Sequence, residues 1–175
     1  TIAREGVTVI AFLAPTMIHM LLEADPALEV PTLRRVPYGG APIDPGLAGA
    51  AIARFGPVFA QLYGQGESPM TVTGLRPQDH RGQALLSAGT VRTDVEVRLV
   101  DEAGREVAEG AEGEICVRGD VVMRGYWNDP AADAKALKYG WLHTGDVGRF
   151  EGGHLYLLSR MNDVIISGGS NIYPR

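Results

Sequence analysis

Apolar residues come in continuous runs through the first part of the chain and alternate with polar ones in the rest. Val7 to Leu13 is nearly all apolar, which predicts a strand buried on both faces. Pro15 suits a first helical turn, and Met17, Met20, Leu21 and Ala24 follow at helical spacing, so a helix with those residues in its core stripe is expected. Leu33 to Pro37 predicts a second strand running into Tyr38-Gly39-Gly40-Ala41-Pro42. Asp44-Pro45 then cap and start a helix that carries Ala48, Ala51, Ile52 and Phe55 on one face. Val58 to Leu62 predicts a third strand opening into a loop, Tyr63-Gly64-Gln65-Gly66-Glu67. Strand, helix and strand in short order imply a right-handed crossover and a parallel sheet. In such sheets ligands sit at the carboxyl ends of strands, where both glycine-bearing loops fall.

The pattern changes near Ser87. Val95, Val97 and Leu99 alternate with Glu96 and Arg98, turn residues follow at Asp101-Glu102-Ala103-Gly104, and Glu114 to Arg118 resumes the alternation. Trp141-Leu142 and Leu155 to Leu158 predict further strands, separated by turns at Gly145-Asp146 and Glu151-Gly152-Gly153. The expected fold class is therefore α/β followed by mainly antiparallel β, with an α/β unit over residues 1–86 and a small barrel-like antiparallel unit over residues 87–158.

Composition narrows the function classes. A chain of 175 residues is long enough for one large domain or two small ones. Sixteen Lys and Arg against twenty-one Asp and Glu leave a net charge of −5 with no basic block, which argues against a nucleic-acid partner. The apolar runs are too short for a bilayer span and the first residues show no signal-peptide pattern, so neither is expected. Cys116 stands alone, which excludes an internal disulfide and suits a reducing, cytoplasmic compartment. His19, His80, His143 and His154 are scattered without metal-ligand spacing and are expected to be structural, as are Cys116 and Trp141.

Four loops carry candidate chemistry. Tyr38-Gly39-Gly40-Ala41-Pro42 offers bare backbone that a flat ring could approach. Tyr63 to Glu67 puts an aromatic face and a carboxylate on one strand end, suited to stacking on a base and to holding a hard cation. Trp141-Leu142-His143-Thr144-Gly145-Asp146 presents a carboxylate able to accept both hydroxyls of a ribose, and Arg160 and Asp163 add a cation and an anion. Taken one at a time, these residues are also what a core aromatic, a solvated carboxylate, a structural ion pair and a tight turn require.

In their joint order the segments resemble the adenylate-forming enzyme superfamily, which includes acyl-CoA synthetases, luciferase and peptide-synthetase adenylation domains. The matching stretches are the Gly-Gly-Ala-Pro loop at residues 39–42, Tyr63 to Glu67, Gly113-Glu114 with Arg118-Gly119 and Gly125-Tyr126 before Pro130, Thr144-Gly145-Asp146, and Arg160 to Pro174. Together they cover essentially the whole chain. The resemblance implies ATP, Mg2+ and CoA as cofactors and a small carboxylic acid as the other partner. Gly39, Gly40 and Ala41 would line the adenine and acyl pocket by backbone, Tyr63 with Gly64 beside it would stack on adenine, and Glu67 would contact the magnesium as the one catalytic and metal residue. Asp146 and Arg160 would hold the ribose, Gly168 and Gly169 would flank the pantetheine tunnel, and Asn162 would be a hinge. Glu114 and Arg118 would hold the barrel together or brace the nucleotide site, and Pro15, Thr16 and Met17 would border the acyl pocket.

Three departures from the family pattern stand out: Gly66 occupies a Thr position, Ser159 a Gly position and Asn162 an Asp position. Missing the Thr hydroxyl leaves a phosphate contact to a backbone amide or water. On this reading residues 159–175 are the hinge and first strand of a C-terminal lid that is otherwise absent, as are the upstream phosphate loop and the lid lysine. The 175-residue piece alone is then expected to be inactive. The Ser167 to Pro174 ending resembles acyl- or aryl-CoA ligases. An adenylation domain loading a carrier protein and a non-catalytic nucleotide-binding module remain alternatives. All of these readings need Tyr63 and Asp146, far apart in sequence, to face one space.

Overall fold

In the computed structural model, which describes residues 2–24, 28–161, 165–167 and 170–172, the run predicted as a doubly buried strand pairs on one side only. It makes two parallel bridges, Val9 to Arg35 and Leu13 to Tyr38. Its other edge has no strand partner among the described residues; Leu13 is covered by the core while Val9 and Phe12 remain exposed. Helix α1 (Pro15–Ala24) begins at the predicted proline, but its buried residues are Pro15 and Ile18, and Met17 and Met20 face outward. Two stripes at helical spacing exist in this segment, and periodicity alone did not say which one the sheet would cover.

Strand β1 (Val36–Gly39) leads to helix α2 (Pro45–Phe55), where the Asp44 carboxylate accepts the Leu47 N–H and Ala48 and Ala51 are buried as predicted. Strand β2 (Phe59–Gln65) then lies parallel to β1, with Val36 opposite Phe59 and Gly39 opposite Leu62. This is the expected parallel crossover unit. The predicted loop at residues 63–67 is corrected: β2 runs through Gln65, only Gly66-Glu67 turns, and β3 (Ser68–Leu75) folds back antiparallel with a register shift between Tyr63 and Gln65. A short β4 (Thr90–Val91) completes this sheet, in the order β1-β2-β3-β4.

The second sheet is antiparallel. It contains β5 (Glu96–Val100), β6 (Glu112–Arg118), β7 (Leu137–Lys138), β8 (Trp141–Glu151) and β9 (His154–Arg160), ordered β5-β6-β8-β7 with β9 also on β8. Helix α3 (Pro130–Ala136), capped by Asp129, precedes β7, and a hairpin of β10 (Ile165–Ser167) and β11 (Ser170–Ile172) follows. The predicted turn at Gly145-Asp146 lies inside β8 instead. There β6 advances from Glu114 to Cys116 while β8 advances from Val147 back to His143, so β8 carries two extra residues. Gly145, at φ +70°, takes up the distortion without reversing the chain.

One core packs α1, α2 and β1 around Ile18, Val36, Tyr38 and Phe59. The other joins both sheets, with Tyr63, Val72 and Ala88 against Leu99, Ile115, Val117, Leu142 and Leu155. Backbone bonds Ala88 N–H to Leu155 O (2.7 Å) and Leu155 N–H to Gly89 O (2.9 Å) tie the sheets at that seam. Among the described residues no helix is long and apolar enough to cross a membrane. Buried His80 shares its ring with the Tyr38 hydroxyl at 3.1 Å and the Arg76 carbonyl at 2.9 Å, and burial lowers its pKa.

Two outcomes follow from this packing. Leu155→Ala should lose about 2–5 kcal/mol in a denaturant titration, whereas Met20→Ala should stay within about 0.5 kcal/mol. Because His80 is held neutral, the unfolded chain binds its proton first, so stability should fall as pH drops below the ordinary histidine value of 6.5. A melting-temperature series from pH 7.5 to 5 should show that fall, and His80→Gln should flatten it.

Candidate functional site

The two extra residues in β8 bring the Asp146 carboxylate against the end of β2. Oδ2 accepts from the Tyr63 hydroxyl at 2.7 Å, across 83 residues of chain, and from Gln65 Nε2 at 2.6 Å. Oδ1 pairs with Arg160 Nε at 3.1 Å, and Arg160 is the register partner of Asp146 on β9. Gln65 Nε2 also reaches the Thr144 carbonyl at 3.0 Å. Three strands thus meet on one buried acid, and the convergence that the sequence required of Tyr63 and Asp146 is present.

Electrostatics define what these groups can do. Burial, reinforced by the adjacent Asp146 charge, raises the Tyr63 phenol well above the ordinary tyrosine value, so it stays a protonated donor. The Arg160 side chain is 64% exposed, leaving much of the guanidinium free to meet an anion or a hydroxyl. Asp146 Oδ1 carries one hydrogen-bonding partner among the described residues, and a carboxylate oxygen has room for a second.

Glu67 sits at the β2–β3 turn with Oε1 accepting from the Tyr126 hydroxyl at 2.6 Å, while its carbonyl accepts the Met123 N–H at 2.8 Å. The bond to Glu67 and burial push the Tyr126 phenol up to about 12. Glu67 Oε2 has no partner among the described residues, so it is available to a hard cation. Gly39 is buried, and a Cβ there would lie 2.2 Å from the Leu62 carbonyl, so its bare side serves the close approach of β1 to β2. Gly40, at φ +80°, faces open space, and Ala41 is exposed beside it. Gly64 lies at the irregularity of β2. Asn162, Gly168 and Gly169 lie outside the described residues.

Gln65 and Tyr126 were missed in the sequence. Gln65 follows Tyr63 by two on the same strand, and that alternation was the available signal once β2 is known to continue. Nothing local marked Tyr126, which reaches Glu67 from a separate loop. One of the histidines expected to be structural, His143, has ligand-type neighbours that the sequence did not show. Strand register sets His143 opposite Cys116, with its Nδ1 2.7 Å from Glu114 Oε2 and 3.5 Å from Cys116 Sγ. Burial, then the Glu114 charge, pushes the Cys116 thiol up to about 12, so it offers no thiolate nucleophile. Trp141 lies between the guanidinium groups of Arg98 and Arg118 at 4.2 and 4.5 Å. A hollow of about 430 Å3 bordered by Arg35, Gln61, Arg76 and Arg92 contains neither Asp146 nor Glu67.

A family model described as AMP-binding enzyme matches residues 1–127. The chain is 42% identical over 166 residues to a medium/long-chain-fatty-acid–CoA ligase, FadD8 of Mycobacterium tuberculosis, covering 93% of this chain and 29% of that one. It superposes on the amide bond synthetase McbA of Marinactinospora thermotolerans with a TM-score of 0.92 at 43% identity, over 98% of this chain and 35% of that one. For the O-succinylbenzoate coenzyme A synthetase MenE of Bacillus subtilis, solved in complex with ATP and magnesium ion, the TM-score is 0.87 at 34% identity, over 99% and 36%. The chain therefore spans about a third of the length of the relatives it matches.

Tyr63→Phe removes one of the donors to a buried carboxylate and leaves the ring in place. It should destabilise the protein by about 1.5–3 kcal/mol in a denaturant titration.

Proposed function

The chain belongs to the family of AMP-binding enzymes, and on that premise we propose that its protein is an ATP-dependent acid–thiol ligase. The reaction joins a carboxylate oxygen to the α-phosphorus of ATP with release of pyrophosphate, and a CoA sulfur then attacks the acyl carbon to give the thioester and AMP. The observation that carries this reading is the buried Asp146 carboxylate, held where the ends of β2 and β9 meet and bordered by the exposed Arg160 head.

The residues fit the ligands by their chemistry. Asp146 Oδ1 and Arg160 offer an acceptor and a donor to a ribose diol, and the backbone at Gly40, Ala41 and Gly64 offers a boundary to adenine beside the largely buried ring of Tyr63. Gly39 contributes by letting β1 and β2 approach. Glu67, with Tyr126 fixing one oxygen and the other without a partner among the described residues, would hold magnesium, which when bound supplies positive charge against the triphosphate. Holding ATP and acid in line accounts for rate without a covalent nucleophile, in keeping with a buried, protonated Cys116. We assign Gly168 and Gly169 to the pantetheine path, Asn162 to the hinge, and the protein to the cytoplasm, the compartment its lone thiol suits.

The MenE and FadD8 names favour a thiol acceptor and a fatty or aromatic acid, while McbA, an amide bond synthetase by name, favours an amine as a second reading. The full-length protein should catalyse acid-dependent exchange of pyrophosphate into ATP, and Asp146→Ala should raise the KM for ATP about tenfold to a hundredfold. Thioester formation with CoA across a panel of fatty and aromatic acids separates the readings, since amide or carrier-bound product would replace CoA as acceptor. No exchange with any acid in a folded preparation would end the proposal.

A further inference from the structure

On the face of the second sheet where Cys116 is buried with Val100 and Trp141, three metal-ligating groups converge. Cys116 and His143 are register partners on β6 and β8, and Glu114 lies two residues before Cys116 on the same strand. One heteroatom from each lies within 4.8 Å of the other two. In a tetrahedral zinc site the ligand atoms are about 3.4–3.6 Å apart, given metal–ligand distances of about 2.0–2.3 Å. The Cys116 Sγ to His143 Nδ1 distance of 3.5 Å already meets this, and the Glu114 Oε2 to Nδ1 distance of 2.7 Å needs to open by less than an ångström.

The three atoms are also poorly served by hydrogen bonding alone. A proton on Nδ1 satisfies Glu114 and leaves Nδ1 unable to accept from the Cys116 thiol, whose other polar neighbour, the Arg98 guanidinium, is itself only a donor, while Nε2 of the same ring is buried with no partner among the described residues. The supports, by contrast, are in place. The Gly145 N–H donates to Glu114 Oε1 at 3.1 Å, so coordination through Oε2 leaves the carboxylate oriented, and the Thr144 hydroxyl fixes the adjoining backbone at the Ile115 carbonyl. Glu114 and His143 side chains are 18% and 12% exposed, which gives an ion a way in, whereas Cys116 is enclosed.

We propose that Glu114, Cys116 and His143 form a binding site for a single thiophilic divalent cation of the zinc class, with water as fourth ligand. Neither the nucleotide site nor its magnesium is involved. Binding releases the thiol proton to solvent and moves the imidazole proton from Nδ1 to Nε2, so the ring stays neutral and the thiolate and the carboxylate together neutralise the ion. Arg98 and Lys138 are the cations that face the thiol, and their repulsion sets the site apart from the tightest structural zinc sites.

The test is titration of the metal-free, full-length protein with Co2+, a coloured substitute for zinc. One equivalent should produce thiolate-to-cobalt charge-transfer absorption together with intense four-coordinate bands, and Zn2+ should bleach both. Cys116→Ala, which keeps a small apolar group in a closed space, should abolish the charge-transfer band and weaken binding by about a hundredfold or more. Glu114→Gln preserves shape and the bond to Gly145 and should weaken binding with the band retained. Circular dichroism and melting temperature establish that each variant is folded. Absence of the band at millimolar Co2+, or its persistence in folded Cys116→Ala, overturns the assignment.

Discussion

Asp146 cannot stay buried as a bare carboxylate, because an ion taken out of water without partners costs far more than a domain's stability allows. Its donors come from three places: Tyr63 and Gln65 on β2, and Arg160 on β9. Satisfying this one acid therefore joins the α/β sheet to the antiparallel sheet and aligns the end of β9 with β8. The seam at Ala88, Gly89 and Leu155 joins the same two sheets by apolar packing and two backbone hydrogen bonds, and the acid adds a second tie between them at the end of β2.

The irregularity in β8 lies between His143 and Asp146. Two additional residues stand opposite the Glu114–Cys116 step, and because they are two, alternation along the strand is kept and His143 and Asp146 fall on opposite faces. Gly145, in the left-handed region, takes up the extra length. The same irregularity leaves the Gly145 N–H free to donate to Glu114, so the polar cluster on one face and the acid on the other share one backbone distortion. A single local departure from regular pairing thus serves both places on the sheet where charge is concentrated.

Glu67 shows a second route to positioning. Its turn is too short to fix a side chain, and the restraint comes from a separate loop through Tyr126 and Met123. That loop is itself tied down by the Tyr126 N–H bond to Asp133 at 2.7 Å on α3. The candidate cation ligand and the candidate ribose ligand therefore sit at opposite ends of the same strand-end segment, 65–67, each held by groups distant in sequence.

Local chemistry in the sequence determined the elements whose ends carry strong signals. Asp44-Pro45 started α2, alternation marked β5 and β6, an apolar run marked β9, and the β1–α2–β2 order dictated parallel pairing. The order of the motifs, through its resemblance to the adenylate-forming enzymes, likewise marked Tyr63, Glu67, Asp146 and Arg160 as residues of interest, where residue type alone also suited structural roles. Tertiary structure decided the rest. Which stripe of α1 faces inward depended on what the sheet covers, so Ile18 was chosen over Met17 and Met20. That Val7 to Leu13 pairs on one edge only, that β2 continues past Tyr63, and that Gly145 bends a strand without ending it all depended on partners the local sequence does not contain. Cross-strand register placed His143 beside Cys116 and Glu114, and loop packing placed Tyr126 beside Glu67, since contacts between separate strands and loops leave no periodic trace along a chain.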